Sequence, residues 1–145
     1  MKERFKIAGA ISLVLQDSDR IFLLKRSHSG YMDNYYGLPM GHIDENESAS
    51  MAAIREAKEE LGIDVKTDGL RYMLTVHRNS IERVYMDVFF EILSYEGEIT
   101  NNEPHKCEEM GFFAHNSLPH LTTPHVKEAV LCLEKDTSYL ETGWK

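Results

Sequence analysis

Two cysteines, Cys107 and Cys132, are the only thiols in this chain of 145 residues. A single pair cannot frame a small domain, so the count excludes a disulfide scaffold and suits a reducing cytoplasm. Neither cysteine has a CxxC companion, and the seven histidines show no paired spacing such as H-E-x-x-H, which argues against zinc. Cations are also short, with 16 Lys and Arg against 24 Asp and Glu for a net charge of −8. Duplex nucleic acid would want a basic stripe and is not an expected partner. A small phosphorylated ligand needs only local cations or a metal and stays open. Long hydrophobic runs are missing too. Residues 7–15 (IAGAISLVL) fall well short of the roughly 20 apolar residues that span a bilayer. The run leads into Gln16-Asp17-Ser18-Asp19 without a small-residue cleavage pattern, so it reads as a buried strand rather than a signal peptide. No membrane partner is expected. Internal repeats and low-complexity linkers are likewise not seen, and the length suits one domain over residues 1–145.

What is there centres on residues 41–63, GHIDENESAS MAAIREAKEE LGI. A loop carrying Gly41, Asp44, Glu45 and Glu47 leads into a predicted helix over 48–61, with Ser48 at its N-cap and Gly62 at its stop. At about 100° per residue Glu56, Glu59 and Glu60 share one face. Ile54, Ala57 and Leu61 fall roughly opposite, the side expected to meet a core. Like charges at i and i+4 cost about 0.2–0.5 kcal/mol if nothing neutralises them. Arg55 and Lys58 would do so on a solvated face, and a hard divalent cation on a functional one. Oxygen-only ligands suit Mg²⁺ or Mn²⁺.

The spacing Gly41, five residues, Glu47, seven residues, Arg55-Glu56-Ala57, one residue, Glu59-Glu60, one residue, Gly62-Ile63 resembles the Nudix box of the Nudix hydrolases. Every fixed position of the box is matched. The commoner pattern carries Gly-Gly where this chain has Met40-Gly41, although only the second glycine belongs to the box. The resemblance implies an α/β/α sandwich, a mixed β-sheet flanked by helices, and hydrolysis of a nucleoside diphosphate linked to another group. It implies Gly41, Glu56, Glu59 and Glu60 as the metal set, with Arg55 orienting Glu59 or Glu56 and Glu47 holding loop to helix. Residues 102–109 (NEPHKCEE) resemble a loop of MutT-like members that act on nucleoside triphosphates, in which a late acidic residue joins the metal or acts as base. Glu103 fits that place by position, with Glu108 and Glu109 as rivals. Glu56 and Glu103 are then the two candidates for the water's proton.

Around the box, residues 7–15 and 21–25 are expected to pair as a hairpin through Asp17-Ser18-Asp19. Arg26 at the strand end faces either a phosphate or solvent. Tyr31, Tyr35 and Tyr36 form either a stacking wall for a base or ordinary packing. Residues 64–67 suggest a short strand, 70–76 and 84–93 better ones joined through 77–83, and 110–114 a last one. A final helix is expected over 125–135, burying Val126, Ala129, Val130 and Leu133. His77 ends a strand near a place for a base, His42 reads as a loop packer, and Lys106 and Arg26 are candidates for offsetting phosphate charge.

The leading expectation is a Mg²⁺- or Mn²⁺-dependent pyrophosphohydrolase taking a (deoxy)nucleoside triphosphate, oxidised ones included, to monophosphate and pyrophosphate. The alternatives are a nucleoside-diphosphate-sugar (for example ADP-ribose) pyrophosphatase and a non-catalytic nucleotide sensor. The retained Glu56, Glu59 and Glu60 weigh against the sensor. A homodimer is common among proteins of the resemblance, and nothing in the sequence adds to that.

Overall fold

A computed structural model describes residues 2–30 and 32–145; Tyr31, one of the three tyrosines considered above, lies outside the described residues. The strands are β1 (Ala8–Val14), β2 (Gln16–Asp17), β3 (Arg20–Arg26), β4 (Tyr36–Gly37), β5 (Met40–His42), β6 (Leu70–Asn79), β7 (Val84–Ile92), β8 (Cys107–Ala114) and β9 (Tyr139–Thr142). The helices are α1 (Ala49–Leu61) and α2 (Pro124–Glu134). A mixed five-stranded sheet has the order β5-β1-β7-β6-β9, and a smaller antiparallel sheet joins β2, β3 and β4, with β8 on β3. In the large sheet β1 is antiparallel to β5 and parallel to β7, and β6 is antiparallel to β7 and parallel to β9.

Strand β1 is apolar apart from the buried Ser12 because both of its faces are covered. Ile11 and Leu13 pack with Ala53, Ala57 and Leu61 of α1. Val14 packs on the other side with Phe89, Val126 and Val130. Phe89 and Phe90 straddle the sheet for the same reason, one in each core.

The expected hairpin of the first two strands is corrected. Strand β1 has β5 on one edge and β7 on the other, which leaves no edge for β3. The chain crosses to the small sheet at Leu15, whose carbonyl accepts the Phe22 N–H at 2.9 Å. Only Gln16 and Asp17 then pair back on β3. Residues 64–67 form no strand; Asp64 makes a single bridge to Glu96, and a 3₁₀ turn follows at Thr67–Gly69. Strand β6 runs on through His77 to Asn79, and β8 begins earlier than expected, at Cys107.

Helix α1 is built as its caps predict. The Ser48 hydroxyl accepts the Met51 N–H at 3.2 Å, and Gly62 adopts φ 69°, the left-handed conformation in which glycine carries no Cβ penalty. The buried side of the helix is corrected. Ala52, Ala53, Glu56, Ala57 and Leu61 are buried while Ile54 is only half-buried. The carboxylate face therefore turns partly inward, with Glu56 against the body of the protein and Glu59 outside.

Candidate active site

Arg55 organises the start of the site. Its Nε and Nη2 donate to the two Glu47 oxygens at 2.7 and 2.9 Å, a bidentate pair. Nη2 also donates to the His42 carbonyl at 2.9 Å. Nη1 reaches Glu56 Oε1 at 2.8 Å and Glu59 Oε2 at 3.3 Å. Glu47 Oε1 in turn accepts the Asp44 N–H at 2.9 Å. The guanidinium and the loop amide hold the Glu47 carboxyl down to about 2, so it stays ionised and the clamp stays closed. One arginine thus ties strand β5, the loop and two helix carboxylates into a single unit.

Gly41 has a steric reason. A Cβ placed there would lie inside the Glu56 carboxylate, 2.7 Å from its Cγ. Only a bare Cα lets Glu56 lie across β5. Burial raises the pKa of Glu56, opposed by Arg55 and reinforced by Glu59 and Glu103. Glu60 is pushed further, up to about 8, first by burial and then by Glu56 and Glu103, against the pull of Arg26 and the Met40 N–H. Its Oε2 is inaccessible and has no hydrogen-bond partner among the described residues.

An unpaired buried carboxylate oxygen is costly, and three neighbouring acids raise that cost together. The arrangement fits a divalent cation: hard oxygen donors, one of them orphaned, packed where a glycine leaves room for them. It is an open set. Among the described residues no three His, Cys, Asp or Glu side chains close into a ready-made cage, and Glu59 stands with about half its side chain (54%) exposed.

Glu103 reaches this cluster through backbone bonds. The Thr100 N–H donates to the Leu61 carbonyl at 2.9 Å, the Asn102 N–H to the Glu60 carbonyl at 3.2 Å and Asn102 Nδ2 to the Lys58 carbonyl at 3.3 Å. These bonds satisfy the orphan carbonyls of the last turn of α1 and dock the loop on it. Its rivals lie elsewhere: Glu108 pairs with Lys25 at 3.4 Å, and Glu109 accepts the Tyr36 hydroxyl at 2.9 Å.

Of the expected substrate contacts, Arg26 lies nearest the chemistry. It donates to the Leu38 carbonyl at 3.4 Å and its charge acts on Glu60. Lys106 is exposed; its N–H donates to the Glu103 carbonyl at 2.9 Å. Tyr35 is half-buried and its carbonyl accepts the Arg26 N–H at 3.0 Å. His77 is not brought to the acidic cluster: its ring lies 4.7 Å from that of Trp144, whose Nε1 donates to the His77 carbonyl at 3.0 Å. Both cysteines are free and buried.

Sequence reasoning missed a buried pair beside these groups. Arg78 Nε donates to Asp87 Oδ2 at 3.0 Å, with the two side chains 4% and 0% exposed. Tyr85 covers the Arg78 guanidinium at 4.2 Å and stacks on His42 at 5.9 Å, continuing the contact to the box loop. An aspartate inside VYMDVFF was the available signal. His125, at the start of α2, was also passed over; burial first, then Arg78 and Arg26, push it down to about 3, so its imidazole is neutral at ordinary pH.

A family model for the NUDIX domain matches residues 6–133. The chain belongs to this family. As a Nudix hydrolase it is 26% identical over 103 residues, 71% of this chain and 90% of the relative, to an 8-oxo-dGTP diphosphatase of Proteus vulgaris. Over 120 residues it is 27% identical to an ADP-ribose pyrophosphatase of Methanocaldococcus jannaschii, covering 83% of this chain and 69% of the relative. Among solved structures, a MutT NUDIX hydrolase from Burkholderia pseudomallei superposes with a TM-score of 0.79 at 25% identity, covering 88% of this chain and 98% of that one. The Nudix fold expected from the box is thus the fold observed. No helix among the described residues is long and apolar enough to cross a membrane.

Proposed function

We propose that this Nudix hydrolase cleaves the pyrophosphate linkage of a (deoxy)nucleoside triphosphate, oxidised forms included, releasing monophosphate and pyrophosphate with Mg²⁺ or Mn²⁺. The observation that carries the reading is the buried, partnerless Glu60 Oε2 beside Glu56 and the bare Gly41. Gly41, Glu56, Glu59 and Glu60 would hold the cation, with Glu103 at its edge. When bound, the cation supplies charge neutralisation on the phosphates and a lowered pKa for the attacking water.

The protein groups divide the remaining work. Arg55 holds Glu56 and Glu59 in register, and Glu47 fixes Arg55. Glu56 is already engaged by Arg55 at 2.8 Å, which makes it a poorer proton acceptor. Glu103, on the loop docked to α1, is the better general base. Arg26, beside Glu60, offsets charge on the phosphate as it departs, and Lys106 is placed to help from the same loop. We place the enzyme in the cytoplasm, in keeping with its two free thiols.

The similarity to an archaeal ADP-ribose pyrophosphatase keeps nucleoside-diphosphate sugars as the second reading. The test is product release from canonical and oxidised dNTPs, NDPs, ADP- and CDP-linked sugars and dinucleotides, on wild type and Glu60→Gln. Metal-dependent turnover lost in the variant supports the assignment, and the preferred substrate selects the branch. Turnover that survives Glu60→Gln would overturn it.

A further inference from the structure

Helix α2 starts on a threonine that does not cap it. Thr123 stands at the N-cap, where a hydroxyl ordinarily accepts an N–H from the first turn. Its Oγ1 makes no such bond. The hydroxyl is inaccessible and has no hydrogen-bond partner among the described residues, in a residue only 1% exposed. Neighbouring Thr122 shows the ordinary outcome: its Oγ1 donates to the Pro119 carbonyl at 2.8 Å. A buried hydroxyl left unpaired is costly, so the Thr123 hydroxyl calls for a partner.

Backbone bonds fix Thr123 beside β4. The Tyr36 N–H donates to the Leu121 carbonyl at 2.8 Å, and the Thr123 N–H donates to the Tyr36 carbonyl at 2.9 Å. Gly37 comes next in β4 and leaves a gap in front of the hydroxyl. A Cβ on Gly37 would stand 3.9 Å from Thr123 Oγ1 and 4.0 Å from Arg26 Nε, so these two groups border one space across a bare Cα. That space belongs to a cleft of about 10 Å³, lined also by Ser12, Leu38 and His125. It has room for one water, which stays in such a place only when polar groups hold it. Thr123 and Arg26 supply them: an N–H that donates and a hydroxyl that donates or accepts. A cation would be repelled by Arg26.

Arg26 gives the cleft its consequence. Its charge acts on Glu60, and its Nη2 bond to the Leu38 carbonyl is long, 3.4 Å. A water near Nε adds a hold close to the stem of the side chain, which sets where the charged end lies.

We propose that Thr123 and Arg26 hold one buried water beside Gly37, and that through it Thr123 is a positioning residue for Arg26, tying the start of α2 to the charge that meets the substrate's phosphates. The effect on turnover rests on the pyrophosphohydrolase reading, whereas the water and the place of Arg26 do not. The test begins with high-resolution crystal structures of wild type, Gly37→Ala and Thr123→Val without substrate. The alanine methyl meets Thr123 and Arg26 at ordinary contact distance, so Gly37→Ala should fold as wild type does while filling the water's space. Wild type should show a water within hydrogen-bond distance of Thr123 Oγ1 and the Arg26 guanidinium. Both variants should lack it and show the guanidinium displaced. On the best substrate of the panel both should lower kcat about 5- to 30-fold with KM little changed. Thr123→Ser, which keeps the hydroxyl, should retain the water and the rate. In an Arg26→Ala background Gly37→Ala should cost nothing further, because the two act as one unit. A merely structural Thr123 gives the opposite pattern: Thr123→Val removes an unpaired buried hydroxyl and leaves kcat alone. The proposal is overturned by a wild-type cleft without an ordered water, by a water that survives Thr123→Val, by an Arg26 that keeps its place in both variants, or by losses in Gly37→Ala and Arg26→Ala that add. A wild type that turns over nothing strikes the hydrolase reading instead, and the crystal structures still decide the water and the place of Arg26.

Discussion

Replacing Glu60 by glutamine should destroy activity and, without metal, make the protein more stable at alkaline pH. The Glu60 carboxyl keeps its proton up to about 8 in the folded chain, against 4.5 when unperturbed. Between those values the folded state holds more protons than the unfolded one, so stability falls as pH rises. Each pH unit in that window is worth about 1.4 kcal/mol, which bounds the penalty near pH 8 at roughly 4 kcal/mol. Relaxation around a buried charge brings the expectation to about 2 kcal/mol. Glutamine has the same shape and no proton to lose. Urea unfolding in EDTA at pH 5 and pH 8 should show wild type losing about 2 kcal/mol more than Glu60→Gln across that range. Adding Mg²⁺ at pH 8 should restore wild type and leave the variant unmoved, because binding to the folded state alone stabilises it. Parallel pH curves for the two proteins in EDTA would refute the claim that Glu60 is a buried acid held back by Glu56 and Glu103.

Other substitutions probe separate parts of the site. Gly41→Ala places a methyl in the Glu56 carboxylate, so kcat should drop at least 100-fold in the product-release assay, while denaturant unfolding changes by about 1–3 kcal/mol. Asp87→Ala leaves the Arg78 guanidinium buried without its counter-charge and should cost about 3–5 kcal/mol in urea unfolding. Ser48→Ala removes the α1 N-cap and should cost about 1 kcal/mol, read as a lowered Tm, with kcat unchanged. Asn102→Ala frees part of the 100–103 loop, and it should lower kcat several-fold with little change in Tm, since the loop and not the core is loosened.

The box was legible because its signals are local. The Ser48 cap, the Gly62 stop and the i, i+3, i+4 carboxylates all lie within one helix and the loop before it. Which sheet a strand joins is decided at long range. The first two strands look like a hairpin until β7, many residues later, takes the edge that β3 would need. The 3.6-residue period placed Glu56, Glu59 and Glu60 together but did not reveal that Glu56 tucks beneath β5. That depends on Gly41 having no side chain, a contact between two elements. Arg78 and Asp87 are diagonal neighbours across β6 and β7, Arg78 standing opposite Tyr85, and nothing in either strand alone pairs them. Strand β9 is short, part polar and parallel to β6, so its sequence carries no hairpin signal.

The bonds from Thr100 and Asn102 to the last carbonyls of α1 make that helix end a measuring post for the loop that follows. Glu103 is one residue beyond Asn102, so its distance from the acidic cluster is metered from the helix terminus on one side and from β8 on the other, where the Cys107 N–H donates to the Glu103 carbonyl at 3.0 Å. Residues added between Glu96, whose backbone is bonded to that of Asp64, and Thr100 would bulge outside the post. Inserting even one residue between Asn102 and Glu103 would move the acid by the length of a residue, about 3.3 Å. The reach of this acid is thus set by where its loop docks and not by the length of chain that leads to it.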